Sequence, residues 1–219
     1  MASCCYPEEY GGFFNAREAA RVVRRYLERG LSGTGLDVAE GLTARGIEGK
    51  TVLEVGGGAG QILAEMLRRG ASSGVSIDLS PHWEGPAHEL LETLDLADRV
   101  EHRTGDFVDE AADLPSFDAV IMHRVVCCYP HWREMLDAAM SLEPGLIAMT
   151  MPRERITTKA FFAAWNGLMK IRGKSFRVFV HAHQPMLDRM SGYRVVGDRA
   201  SFIWRTAVLE RTAVPDEIG

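Results

Sequence analysis

The sequence predicts an α/β fold: a doubly wound, mostly parallel sheet of seven strands, with an antiparallel hairpin at its C-terminal end and a helical arm in front. Three observations carry this expectation. From residue 49 onward, short β-branched runs alternate with helical stretches, the rhythm of parallel strands joined by crossover helices. A glycine cluster at residues 56–60 follows the first of these runs and opens a helix. The alternation breaks at Pro152, and the chain finishes with two closely spaced extended runs that fit a hairpin on the sheet.

Taken in order, residues 1–15 are turn-rich and aromatic, with Tyr6, Tyr10, Phe13 and Phe14 around the pair Gly11-Gly12, and read as an arm lying on the rest of the chain. Residues 16–29 carry Ala19, Ala20, Val22, Val23, Tyr26 and Leu27 at helical spacing, and Gly30 supplies a stop. Arg17, Arg21, Arg24, Arg25 and Arg29 decorate this helix beside Glu18 and Glu28 and read as a solvated face. A second helix is expected over residues 36–45. Strands are expected at residues 51–55, 73–78, 100–103, 119–122 and 146–149, with helices between them at 61–69, 83–94 and 132–140. Residues 157–171 then read as a helix, 176–181 as an extended run, 185–190 as a short helix, and 193–196 and 203–209 as the closing strands. With no long linker and no internal repeat, the chain is expected to be one domain of 219 residues: an arm with helices (1–48), a core (49–152), an insert (153–190), and a hairpin with tail (191–219).

An apolar share of 46% is enough for a full core at this length. The net charge of -5 lacks the basic footprint that nucleic acid demands, so a nucleic-acid partner is not expected. No apolar run reaches the roughly 18 residues of a membrane span. The first residues lead into Glu8 and Glu9 instead of a hydrophobic leader, so a cytoplasmic protein, monomeric or homodimeric and off the membrane, is expected. The four cysteines stand as two adjacent pairs and not as a spaced disulfide framework, so reduced thiols are expected.

The chemistry-bearing stretch is Glu54-Val55-Gly56-Gly57-Gly58-Ala59-Gly60. Glycine allows a tight turn at positive φ and close approach of a ligand to bare backbone. A dinucleotide fingerprint laid on Gly56 and Gly58 would need its third glycine where Gln61 stands, so that overlay fails. Glu54 precedes the glycines, Asp78 ends the second strand with Leu79 after it, and Gly105-Asp106-Phe107 follows the third. A carboxylate at a strand end is a good acceptor for two vicinal hydroxyls. The plain alternatives are a helix cap shared with Ser80 for Asp78, a turn residue for Asp106, and an ordinary strand-end carboxylate for Glu54.

With these residues in this order, residues 50–152 resemble the class I S-adenosylmethionine-dependent methyltransferases. The resemblance implies a Rossmann-like sheet and S-adenosylmethionine as methyl donor, with S-adenosylhomocysteine as product. It further implies a glycine loop against the methionine half of the cofactor, Asp78 on both ribose hydroxyls, and Asp106 on the adenine amino group. Glu54 would hold loop amides or the cofactor's ammonium group. The succession of arm, core, histidine-bearing extended run and closing hairpin also resembles the magnesium-protoporphyrin O-methyltransferases. A bacterial group of small methyltransferases with a His-Arg-Val-Val-Cys-Cys-Tyr-Pro segment is similar as well, and implies a fold and cofactor without a substrate.

In such enzymes the segment after the fourth strand lies beside the transferable methyl group. Here it reads His123-Arg124-Val125-Val126-Cys127-Cys128-Tyr129-Pro130. His123 is the candidate for removing a proton from an attacking oxygen, nitrogen or sulfur, or for contacting the cofactor, with a hydrogen bond that fixes the strand end as the alternative. Tyr129 is the second catalytic candidate. Arg124 is placed to orient an anionic substrate, with an outward ion pair as its alternative. Cys4-Cys5-Tyr6-Pro7 repeats the tetrapeptide of Cys127 to Pro130. If the arm folds over the pocket, Cys4, Cys5, Cys127 and Cys128 would converge near His123 and His131, as a metal site or as a thiol pair responding to redox state. The plain alternative is small buried side chains, and no metal is expected. Tyr10, Phe14, Cys127, Cys128 and His181 complete the substrate candidates, while Phe161, Phe162, Trp165 and Met169 read as core. The expected activity is methyl transfer to a small molecule, with a thiol- or metal-responsive binding protein as the alternative.

Overall fold

The computed structural model describes residues 16–212. Helices α1 (Ala16–Arg29) and α2 (Gly33–Thr43) precede β1 (Thr51–Val55), α3 (Gln61–Arg68), β2 (Ser73–Asp78), α4 (Glu84–Thr93), β3 (Val100–Thr104), the single turn α5 (Phe107–Glu110) and β4 (Ala119–His123). Then come α6 (Trp132–Ser141), β5 (Leu146–Pro152), α7 (Ile156–Ile171), α8 (His183–Arg189), β6 (Tyr193–Ala200) and β7 (Trp204–Arg211). The strands form one sheet in the order β3-β2-β1-β4-β5-β7-β6. β1 to β5 pair in parallel, and β7 runs antiparallel to both β5 and β6.

The central strands are apolar on both faces because both faces are covered. Leu53, Val55, Val120, Met122, Ile147 and Met149 turn toward α6, where Met135, Leu136 and Ala139 meet them. Val52, Ile121 and Ala148 alternate to the other face, against Val38 and Leu42 of α2 and Ile62, Leu63 and Met66 of α3. Helix α1 adds Ala19, Val23 and Tyr26 to that second core, and its arginines lie on the exposed side.

Helix and strand boundaries follow the sequence expectations closely, with two departures. The extended run 176–181 pairs with no strand. It is held by Asn166 of α7, which exchanges two hydrogen bonds with the backbone of Val178, and by Phe179 N donating to Cys127 O. The closing strands are longer than the apolar pattern suggests, since exposed polar residues continue the β6–β7 ladder as far as Ala200 and Arg205. At the start of the core, Asp118 accepts from Thr51 N and Oγ1 and so fastens the entries of β1 and β4.

Candidate functional site

Strand order reverses between β1 and β4, and a doubly wound sheet opens a crevice beyond the strand ends at such a point. Glu54, Asp78, Asp106 and His123 all come to the carboxyl ends of β1, β2, β3 and β4. A cavity of about 520 Å³ lies there.

The glycine loop forms its first wall. Gly56, Gly58 and Gly60 have φ of +65°, +58° and +73°, a region open to glycine and costly for other residues. Side chains pack the loop from behind: a Cβ on Gly56 would stand 2.5 Å from Val125 Cγ2, and one on Gly57 would stand 2.8 Å from Glu54 Cδ and from Ser76 Oγ. Gly60 cannot cap α3 with a side chain, so Glu54 does it from the preceding strand, its Oε2 accepting from Leu63 N at 3.0 Å. Full burial pushes the Glu54 carboxyl up to about 8, opposed by that amide and reinforced by the nearby Asp78 charge.

Asp78 ties the loop to the end of β2: Oδ2 accepts from Gly58 N and Oδ1 from Ser80 N, each at 2.9 Å. Burial raises its pKa, against the pull of the two amides. Asp78 thus holds the turn at Ser80, as its plain alternative expects, and also borders the cavity. Asp106 caps α5 through Val108 N, and the Tyr129 hydroxyl donates to both of its carboxylate oxygens, at 3.2 and 3.1 Å. Leu79 and Phe107 line the same end, while Gly60 turns the chain behind it. Gln61 and Ser80 also border this end, and Gln61 Oε1 and Ser80 Oγ are buried with no hydrogen-bond partner among the described residues. Bare backbone and unsatisfied polar atoms together fit a ligand rich in donors and acceptors.

His123 ends β4, its Nε2 at 2.9 Å from Thr34 Oγ1. Burial, with the Arg124 charge beside it, pushes the imidazole down to about 3, so the ring is neutral at physiological pH. Arg124 follows at φ +57°, and Thr34 Oγ1 accepts from its Nη2 at 2.8 Å. Its guanidinium carbon lies 4.5 Å from the centroid of Trp204. Cys127 and Cys128 line the cavity with their sulfurs 3.7 Å apart, both directed at Arg124 O.

The far half of the cavity is aromatic, walled by Phe161, Phe162, Trp165, Phe176 and Trp204. Phe161, Phe162 and Trp165 line the cavity; Phe162 and Met169 are also buried, as their spacing predicts, Trp165 packs against Phe162, and Phe161 is half exposed. A helical stripe says that a face is covered, not whether side chains or a ligand cover it.

His181 departs from its expected place as a pocket residue. It does not border the cavity: its Nε2 lies 3.1 Å from Val126 O and 3.3 Å from Tyr129 O, and its ring stacks on Phe179. It fastens the extended run to the turn after β4. Tyr129 is engaged with Asp106 at the loop end of the cavity, away from the aromatic half. His131 is exposed and paired with Glu134. Tyr10, Phe14, Cys4 and Cys5 lie outside the described residues. Among the described residues, no group of three His, Cys, Asp or Glu is arranged to hold a metal ion, and no helix is long and apolar enough to cross a membrane. Thr34, Trp83, Val125 and Trp204 were not singled out by sequence. A tryptophan at the start of a closing strand was a weak signal for the last, and the others had none.

A family model described as a methyltransferase domain matches residues 16–191. No curated protein matches the chain by sequence. Among solved structures, an O-methyltransferase family protein from Burkholderia thailandensis is similar with a TM-score of 0.69 at 23% identity, covering 90% of this chain and 59% of its own. This chain thus spans well under two thirds of that protein's length. A magnesium protoporphyrin IX methyltransferase from Synechocystis with bound S-adenosylhomocysteine is similar with a TM-score of 0.66 at 16% identity, covering 94% of each chain. An O-methyltransferase family 2 protein from Planctomyces limnophilus in complex with apigenin gives 0.67 at 18% identity, covering 90% of this chain and 62% of its own. At such identities the likeness is one of fold.

Proposed function

The chain belongs to the methyltransferase-domain family, and on that premise we propose that it transfers the methyl group of S-adenosylmethionine to a small molecule held in the aromatic half of the cavity. The observation that carries this reading is the continuity of one cavity from the glycine loop, with Asp78 and Asp106, to the aromatic walls beyond His123 and Arg124. S-adenosylmethionine supplies an electrophilic methyl on a sulfonium and leaves as S-adenosylhomocysteine.

The chain's own residues bind, orient and exclude water. Asp78 has acceptor capacity left beside the Gly58 and Ser80 amides, which suits the two ribose hydroxyls. Glu54 holds the start of α3 and gives that end negative character once ionised. Asp106, oriented by the Tyr129 hydroxyl, faces the adenine end. Tyr129 is a positioning residue in this reading. His123 offers a neutral imidazole fixed by Thr34, a hydrogen-bonding group for the acceptor more than a strong base. The rate enhancement then rests largely on alignment in a water-poor chamber. Two structural relatives, one holding S-adenosylhomocysteine and one holding apigenin, support a cofactor half and a small-molecule half in this fold. The net charge of -5 also favours a small molecule over nucleic acid, and a cytoplasmic protein fits this reading.

Titration calorimetry with S-adenosylhomocysteine tests the proposal. One binding site, lost on competition with S-adenosylmethionine, is expected; absence of binding to the folded protein would overturn it.

A further inference from the structure

We infer that the acceptor is a flat aromatic molecule bearing an anionic oxygen, a phenolate or a carboxylate, and that Arg124 selects it. This rests on the methyltransferase reading of the cavity. Acidic and basic groups are segregated along the cavity: Asp78 and Asp106 border the glycine-loop end, with the raised carboxyl of Glu54, while Arg124 is the one arginine or lysine among its described lining residues. Arg189, Arg194, Arg199, Arg205 and Arg211 are each paired with a carboxylate. Arg124 has no such partner among the described residues. Its hydrogen bond goes to a neutral hydroxyl, Thr34 Oγ1, and its guanidinium rests on the face of Trp204. Desolvation lowers its pKa, yet an arginine stays charged.

The fold holds this cation in place. Arg124 occupies the left-handed region at φ +57°, which disfavours a side chain, and Arg124 N donates to Thr150 O to fix the turn. Thr34, 90 residues away in sequence, contacts both the guanidinium and His123. The result is an accessible, pre-oriented cation beside Phe161, Phe162 and Trp165, walls that suit a planar π system. A guanidinium recognises an anionic oxygen in just such a setting.

An acceptor that arrives ionised also matches the neutral His123, which is too weakly basic to take a proton near pH 7. The oxygen lone pair forms the new bond to the methyl carbon as the carbon–sulfur bond breaks. The electrons of that bond return to sulfur, giving the neutral thioether, and no proton has to be moved.

Equilibrium dialysis against 4-nitrophenolate, 4-nitrobenzoate and neutral nitrobenzene, with S-adenosylhomocysteine present, tests the inference. The wild-type protein should hold at least one anion about tenfold more tightly than nitrobenzene. Arg124→Met should remove that preference while nitrobenzene and S-adenosylhomocysteine binding stay within about twofold, and Arg124→Lys should keep part of it. Preference for nitrophenolate identifies a phenolate acceptor, and preference for nitrobenzoate a carboxylate. Equal or absent binding of anionic and neutral probes by the wild type, which needs no variant, would overturn the inference, as would an Arg124→Met protein that keeps the preference. Failure of S-adenosylhomocysteine itself to bind would instead overturn the methyltransferase reading.

Discussion

Replacing Asp78 by alanine tests the cofactor assignment most directly. The carboxylate already accepts from Gly58 N and Ser80 N, each at 2.9 Å, so its removal strips the loop of an anchor and the ligand of an acceptor. Hydrogen bonds to a charged group contribute about 1.5–3 kcal/mol each, so losing two to a ribose diol should weaken S-adenosylhomocysteine about 100-fold or more. Loop loosening would weaken any ligand in the cavity, and a cycle separates the two effects. Calorimetry on wild type and Asp78→Ala, each with S-adenosylhomocysteine and with its 2′,3′-dideoxy analogue, should show a large loss only for the ligand that carries the diol. Asp78→Asn should behave like the alanine variant, because an amide nitrogen turned toward Gly58 N cannot accept from it. Burial holds the Asp78 pKa above its ordinary 3.8, and the diol favours the ionised form. Affinity should therefore fall as pH drops through that raised value, with proton release on binding in that range. Equal losses for both ligands would reduce Asp78 to a loop anchor, and full affinity in Asp78→Ala would refute the ribose assignment.

Glu54, at about 8 in the folded chain against an ordinary 4.5, should make the fold less stable as pH rises from about 4.5 to about 8, by up to about 5 kcal/mol. The difference between wild type and Glu54→Gln in urea unfolding should track that window, and parallel curves would contradict it. For His123 the sign is opposite. The folded ring stays neutral to about 3 while the unfolded one protonates near 6.5, so stability is lost as pH falls through that interval. Its ring resonances should stay flat in an NMR titration from about pH 8 to about pH 5. Gly57→Ala should cost about 1–3 kcal/mol through overlap with Glu54 and Ser76, and Gly60→Ala about 1 kcal/mol through its φ of +73° alone. Chemical denaturation distinguishes them, for in Glu54→Ala the Gly57 penalty should shrink and the Gly60 penalty should not.

The sheet and the loop end of the site were legible in the sequence because both are governed by local rules. Apolar alternation, a glycine cluster straight after a strand, and carboxylates at successive strand ends are set within a few residues, and the parallel topology then brings those ends together. The roles within that end were less legible: that Glu54 caps α3 and that Tyr129 orients Asp106 depend on where neighbouring segments come to rest. The extended run shows the limit well. Its alternation says that one face is covered, and Phe176 and Val178 do line the cavity, but His181 fell to backbone carbonyls that only the turn after β4 supplies.

By itself, then, the sequence determined the doubly wound sheet, the glycine loop and the order of the acidic residues, since each is fixed by its own neighbours. Only the tertiary structure decided the aromatic half of the cavity. That half is assembled from α2, α7, an unpaired extended run and β7, segments up to 170 residues apart. Contacts across such separations arise from packing, so no local pattern could set Arg124 between Thr34 and Trp204.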